Sequence, residues 1–207
     1  MSYFPLFIDL SGAEVLIVGG GIVALRKVQK LLPYGASITL VAPEIVPELS
    51  QEVNITILPR PYDASLLTGR RLVIAATDDR TVNHAISLDC QARGIPVNVV
   101  DCREDCTFIF PSLVKAGKLS VGISTGGASP SAAIWLRQRI EALLPDSFGD
   151  ILSYLDALRP RFKAELATEV ERSKLYKALF ARCVELQRPL TDEELMQFLR
   201  ERDNDGK

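Results

Sequence analysis

Four consecutive apolar residues, Val15-Leu16-Ile17-Val18, run straight into Gly19-Gly20-Gly21. From Ile22 the apolar residues Val23, Ala24, Val28, Leu31 and Leu32 then return at helical spacing. A short β-branched run with no polar face reads as a strand covered on both sides. The glycines break it, and the 3.6-residue period beyond them reads as a helix. Strand, glycine turn, helix is the context in which a glycine pattern carries chemical information.

Gly19, Gly21 and Ala24 fit G-x-G-x-x-A. Gly19 allows the tight turn, Gly21 has no Cβ to hold a pyrophosphate off the backbone, and Ala24 lets the helix lie close to the strand. The helix start offers unpaired N–H groups and a positive dipole end to an anion. The pattern predicts dinucleotide binding. In such sites an acid closing the second strand holds the ribose hydroxyls. Here that strand runs into Ala42-Pro43 and the first acid is Glu44, with no Arg or Lys beside it to take a 2′-phosphate. NAD is therefore favoured over NADP. Glu44 also fits an ordinary solvent-facing loop residue.

The same grammar repeats. Ser37 to Val41, Ile55 to Leu58, Arg71 to Ala76 and Pro96 to Val100 read as strands, Ile55 to Leu58 edge-like because Pro59 and Pro61 follow it. A helix is expected from about Thr81 to Arg93, stopped by Gly94, and Tyr3 to Leu10 reads as an extended lead-in at an edge. Alternating strands and helices predict an α/β fold with a parallel sheet, whose ligands sit beyond the carboxyl ends of the strands. Those ends are Gly19–Gly21, Ala42–Glu44, Thr77–Asp79 and Asn98–Asp101.

Beyond residue 105 the pattern changes. Thr107 to Phe110, Ser112 to Lys115 and Leu119 to Ser124 look like short strands, the last two forming a hairpin. Ser129 and Pro130 then open a helix as N-cap and first residue. Helices are expected over 149–158, 161–171 and 173–187, and a last one opens on a capping box, Thr191 with Glu194. The tail from Arg202 is expected to fray.

Lys and Arg number 24 against 26 Asp and Glu, a net charge of −2, so no global charge advertises nucleic acid or a membrane surface. No apolar run approaches the ~20 residues that cross a bilayer, and MSYFPLF lacks a basic segment followed by an apolar core. A cytoplasmic protein is expected. Cysteines 90, 102, 106 and 183 form no C-x-x-C pair and read as reduced, mostly structural thiols. His84 is the single histidine and reads as a surface or packed residue. With that one histidine read as surface or packed and no Ser nucleophile elbow, a triad hydrolase is not expected.

Several polar residues remain as candidates. Asp101 follows a buried strand, where a carboxylate either handles a proton or bonds its own turn. Asp79 is placed to cap the next helix. Asn83 and Asn98 either position a ligand or satisfy backbone groups. Ser124 to Ser129 offers hydroxyls and free N–H donors at a helix start, suited to carboxylate or phosphate. Arg137 and Arg139 either extend that anion site or face solvent.

Taken in order, Pro5-Leu-Phe, Val18-Gly-Gly-Gly, Ala24-Leu-Arg-Lys27, Ala75-Ala-Thr-Asp-Asp79 with Val82-Asn83, Val97-Asn-Val-Val-Asp101, Phe108-Ile-Phe-Pro-Ser112, Ile123-Ser-Thr-Gly-Gly127 and Ser129-Pro130 form a series. The chain thereby resembles the precorrin-2 dehydrogenases, the dehydrogenase/ferrochelatase module of siroheme synthases. The resemblance implies a homodimer with a Rossmann-like NAD-binding domain (1–112), a small α+β dimerisation region (113–145) and a C-terminal helical domain (146–207).

It implies NAD contacts at the Gly19-Gly20-Gly21 turn, Ile22, Val23, Pro43, Glu44 and the Thr77-Asp78 turn, and it places the catalytic aspartate on Asp101. Precorrin-2, with eight carboxylates, would be oxidised to sirohydrochlorin against Asn98, Thr125, Gly126, Gly127, Ser129 and Arg137. Some members also insert Fe²⁺ (with Co²⁺ as an alternative metal substrate), and some carry a phosphorylatable serine where Thr125 stands. With no methyltransferase domain following, the resemblance is to the stand-alone form. The alternative of a different class is a non-catalytic NAD(H)-sensing regulator.

Overall fold

The computed structural model describes residues 3–205, and the chain divides into two compact units, residues 1–110 and 111–207. In the first unit β1 (Glu14–Val18), β2 (Ser37–Val41), β3 (Ile55–Leu58), β4 (Leu72–Ala75) and β5 (Val97–Val99) form one parallel sheet in the order β3-β2-β1-β4-β5. β1 is central because it is apolar on both faces. Val15 and Ile17 point to the side packed by α1 (Ile22–Leu31), while Leu16 and Val18 join Ile86 and Cys90 of α2 (Arg80–Ala92) on the other. Period-two alternation thus feeds two cores from one strand. Successive strands leave β1 on opposite sides, so the order reverses there, which opens a crevice at the carboxyl ends.

α1 keeps Ala24, Leu25, Val28 and Leu31 buried, the stripe read from the sequence. Asp79 caps α2 by accepting from the amides of Thr81 (2.7 Å) and Val82 (3.3 Å), as expected from its position. Two expected extended segments are not strands. Tyr3 to Leu10 pairs with no strand: only Leu10 is buried, and Phe4, Leu6 and Phe7 are exposed. Thr107 to Phe110 makes no ladder either. The amides of Thr107 and Phe108 both donate to the single carbonyl of Val97, while Phe108 and Phe110 pack on the α1 side of the sheet. Their β-forming side chains serve as plugs rather than rungs.

The second unit opens with an antiparallel hairpin, β6 (Ser112–Ala116) and β7 (Leu119–Ile123), followed by α3 (Pro130–Leu143). Ser129 caps α3 through the Ala132 amide at 3.1 Å. Four helices follow: α4 (Phe148–Ala157), α5 (Arg159–Glu165), α6 (Glu169–Leu186) and α7 (Asp192–Asp205). They close over Ile151, Phe162, Leu175, Leu179, Cys183, Leu190 and Leu195. The expected helix boundary near residue 172 lies instead at Thr168. There Thr168 and Glu171 make a reciprocal capping box, so Ser173 is inside α6. The Thr191–Glu194 box forms as expected, with amide-to-side-chain contacts of 2.8 and 3.3 Å. α7 runs to Asp205, so the tail is helical that far, and its last two residues, like the first two of the chain, lie outside the described ones. Among the described residues no helix is long and apolar enough to cross a membrane.

Candidate functional site

The site begins where β1 ends. Gly19 takes φ +131°, and its amide donates to the Val41 carbonyl at 2.9 Å. A Cβ on Gly19 would lie 2.2 Å from the Ala76 carbonyl oxygen, and one on Gly20 would lie 1.9 Å from that of Glu44. The Val46 amide also donates to the Gly20 carbonyl at 2.8 Å. Backbone therefore wedges the turn between the ends of β4 and β2, and these two glycines are demanded by the fold itself. Gly21 differs: it has ordinary backbone angles, stands as the N-cap of α1, and a Cβ there would project into open space. That open space is the cradle a ligand needs to reach the first amides of α1, which have no partner within the helix. A diphosphate fits this seat.

A cleft of about 800 Å³ opens from it, lined by Gly19, Gly20, Gly21, Pro43, Glu44, Thr77 and Asp78 among others. Seven of the nine predicted cofactor contacts thus share one cavity. Ile22 and Val23 are not in the lining; they stand partly exposed in the first turn of α1, whose amides have no partner within the helix. Neither Lys nor Arg lines the cleft among the described residues.

Its β4 wall is held by a closed set of hydrogen bonds. Asn83, buried on α2, accepts from the Thr77 amide (3.2 Å) and hydroxyl (2.8 Å) and donates to the Thr77 carbonyl (2.9 Å). Of the two readings open for Asn83, backbone satisfaction holds. The wall opposite includes Tyr62, which the sequence reading missed. Its hydroxyl donates to Asp89 of α2 at 3.0 Å, and burial together with that carboxylate pushes the phenol up. The only signal was the Pro59–Pro61 pair that turns the chain back over the cleft after β3.

Asp101 lies two residues beyond β5 in the left-handed region, φ +58°, with an exposed side chain outside the lining of the cleft. A non-glycine residue at positive φ is uncommon, although Asp tolerates it better than most. Asn98 is buried in β5 and fully engaged, accepting from Lys27 Nζ at 3.4 Å and donating to the Phe108 carbonyl (3.2 Å) and Cys106 Sγ (3.5 Å).

Lys27, named in the sequence only as the end of the Ala24–Lys27 motif, was given no role there. Its ammonium stands 4.1 Å from the centre of the Phe110 ring. Burial first, and then the like charge of Lys30, push it down to about 8 against the opposing pull of Cys106 and Asp101. His84, exposed, pairs with Asp105 at 2.9 Å, and the Cys102 thiol donates to the same carboxylate at 3.2 Å. That bond holds Cys102 protonated, and burial does so for Cys106.

In the second unit the hydroxyl of Thr125 bridges the Ser129 amide and carbonyl, both at 3.1 Å. Gly126 and Gly127 take φ +62° and +86°, and Ser129 turns its own hydroxyl to the helix cap. Arg137 is paired with Glu141 of its own helix by contacts of 2.7 and 2.6 Å, in an ion pair open to solvent.

A family model described as "Putative NAD(P)-binding" matches residues 6–112, and one described as "Sirohaem biosynthesis protein central" matches residues 117–143. The siroheme synthase of Psychrobacter sp. (strain PRwf-1) is 40% identical over 183 residues, which is 87% of this chain and 38% of that protein. The siroheme synthase of Methylobacillus flagellatus is 43% identical over 183 residues, again 87% of this chain and 39% of the relative. The chain thus spans about two fifths of the length of these relatives. Among solved structures, "SirC, precorrin-2 dehydrogenase" superposes with a TM-score of 0.69 at 23% identity, covering 98% of this chain and 100% of that one. At that identity the match speaks for the fold, and it agrees with the α/β sheet, small hairpin and helical tail described above.

Proposed function

The chain belongs to the NAD(P)-binding family whose model spans residues 6–112, and from that premise we propose that it oxidises precorrin-2 to sirohydrochlorin in siroheme biosynthesis, with NAD as the electron acceptor. The observation that carries this is the Gly21 seat: a helix start with free amides, opening into a cleft of about 800 Å³, in a fold otherwise too tight at Gly19 and Gly20 to admit a Cβ. The names of the siroheme synthase relatives and of the SirC structure supply the substrate.

Within this reading the α1 amides at Ile22 and Val23 hold the pyrophosphate, and Glu44 and Asp78 take the ribose hydroxyls. The absence of Lys and Arg from the described lining supports NAD over NADP, since a 2′-phosphate would meet no cationic side chain there. Bound NAD supplies the hydride acceptor. Oxidation also releases a proton, and Asp101, at the carboxyl end of β5 with its carboxylate exposed, is the base we assign to it. Asn98 fixes the strand beneath, and the Thr125–Ser129 loop with Arg137 is assigned to substrate carboxylates. Arg137 would exchange Glu141 for substrate at an exposed ion pair, which costs little.

We also assign residues 113–145, which in the chain follow the nucleotide domain (1–112) and precede the helical domain (146–207), to a homodimer interface. The support is α3, which buries only Ala133 and leaves Ile134, Trp135, Leu136 and Leu143 exposed.

The test is anaerobic incubation of the purified protein with precorrin-2 and either NAD or NADP. Sirohydrochlorin absorbance growing with NAD is the expected outcome, and none with either dinucleotide sinks the proposal. Asp101→Ala should bind NAD as before and lose most turnover; unchanged turnover removes Asp101 from the mechanism. Adding Fe²⁺ or Co²⁺ to sirohydrochlorin with and without protein separates the dehydrogenase from a metal-inserting enzyme.

A further inference from the structure

We propose that Lys27, with Lys30 beside it, is a carboxylate receptor on the α1 face at the β5 edge, engaging an acidic side group of the tetrapyrrole rather than the dinucleotide; the tetrapyrrole identity rests on the function proposed above. The two lysines stand three residues apart on α1, hence on one face, and converge on a single aromatic ring, at 4.1 and 5.8 Å from the centre of Phe110. A ring face attracts a cation but does not neutralise it. An ammonium has three donors, and the hydrogen bond found for Lys27 is the long 3.4 Å contact to Asn98 Oδ1. Among the described residues no carboxylate lies within ion-pair distance of either lysine, whereas Lys118 on the hairpin turn has Asp156. Lys27 is half-buried, so its charge is held partly out of water with no carboxylate in contact with it among the described residues. Neither lysine lines the nucleotide cleft, which separates this site from the diphosphate seat.

An arrangement of this kind is built to gain from an arriving anion. The groups facing Lys27 are Lys30 on its own helix and, from the segment after β5, Asp101 and Cys106. Cys106 is held protonated by burial. With the Lys27 ammonium brought down to about 8, its charge is partly lost just above neutral pH, and a bound carboxylate would restore it. The substrate class follows from position. Asp101, the base assigned above, is near enough for its charge to act on Lys27, so a carboxylate seated here would anchor the macrocycle beside that base.

The experiment is a fluorescence titration with uroporphyrin, a stable porphyrin octa-acid whose carboxylates stay ionised throughout, at pH 7 and pH 9.5. Wild type should lose about tenfold in affinity between the two, as Lys27 deprotonates. Lys27→Met should be about tenfold weaker at pH 7 and flat with pH. Lys27→Arg should match wild type at pH 7 and hold its affinity at pH 9.5, a rescue that a merely structural role would not produce. NAD affinity should be the same in all three. A wild type flat with pH, or Lys27→Met binding like wild type, overturns the proposal. The two readings fail separately: loss of precorrin-2 turnover in wild type with the uroporphyrin pattern intact removes only the reaction. Turnover in Lys27→Met with unchanged KM removes only the receptor.

Discussion

The three adjacent glycines answer one substitution in three different ways, because each meets a different obstacle. In Gly19→Ala the new methyl would lie 2.2 Å from the Ala76 carbonyl oxygen at a φ of +131°, a region L-residues avoid. In Gly20→Ala it would lie 1.9 Å from the Glu44 carbonyl oxygen, which the Val46–Gly20 hydrogen bond holds in place. Backbone must move in both, so each should cost about 3–5 kcal/mol and lower Tm by about 6–20 °C.

Gly21→Ala meets nothing within 4 Å at an ordinary φ of −89°. Reduced freedom of the unfolded chain stabilises it by about 0.4–1 kcal/mol. Alanine's weakness as an N-cap offsets this, leaving stability within about 0.5 kcal/mol of wild type. The methyl nevertheless fills the seat. Losing one charge-assisted hydrogen bond to a phosphate, about 1.5–3 kcal/mol, lowers dinucleotide affinity by roughly 10- to 150-fold. Thermal unfolding and isothermal titration with NAD on the three variants read both quantities. A Gly21→Ala protein that folds and binds NAD like wild type would refute the placement of the diphosphate.

Two further outcomes concern stability. Asp79→Ala removes the side chain that accepts from Thr81 and Val82, and should cost about 1 kcal/mol of unfolding free energy by denaturant titration, with Asp79→Asn recovering most of it. The Arg188 guanidinium, bonded to Glu194 at 2.7 and 2.8 Å, together with the Thr191 amide, holds that carboxyl down to about 2 from an ordinary 4.5. A carboxyl depressed on folding stabilises the protein above its unfolded value and loses that contribution as pH falls from 4.5 toward 2. Arg188→Gln should therefore narrow its Tm difference from wild type across that window; a constant difference from pH 6 to pH 2.5 would exclude the linkage.

The nucleotide unit was legible because its strands carry unbroken apolar runs and its turns carry glycine, both direct consequences of being covered on two faces. Segments whose apolar side chains act singly were misread. Phe108 and Phe110 have strand-forming chemistry, yet they plug the α1 side of the sheet from a loop. The α6 boundary failed for a different reason: Thr168 and Ser173 are both acceptable caps, and only the Glu171 side chain reaching back to the Thr168 amide at 3.2 Å decides between them. No role for Lys27 or Tyr62 was legible because a helical lysine and a loop tyrosine read as solvated. Their partners, Asn98 with Phe110 and Asp89, are brought to them by the tertiary fold.

The anchors of the glycine turn are peptide groups: Gly19 holds the Val41 carbonyl and Gly20 receives the Val46 amide. Almost any side chain at 41 or 46 presents the same amide and carbonyl, so mutational drift in the flanking loop passes through without reshaping the turn. Selection acting on this corner of the molecule should fall on the absence of three methyl groups, leaving the surrounding residues free to diverge.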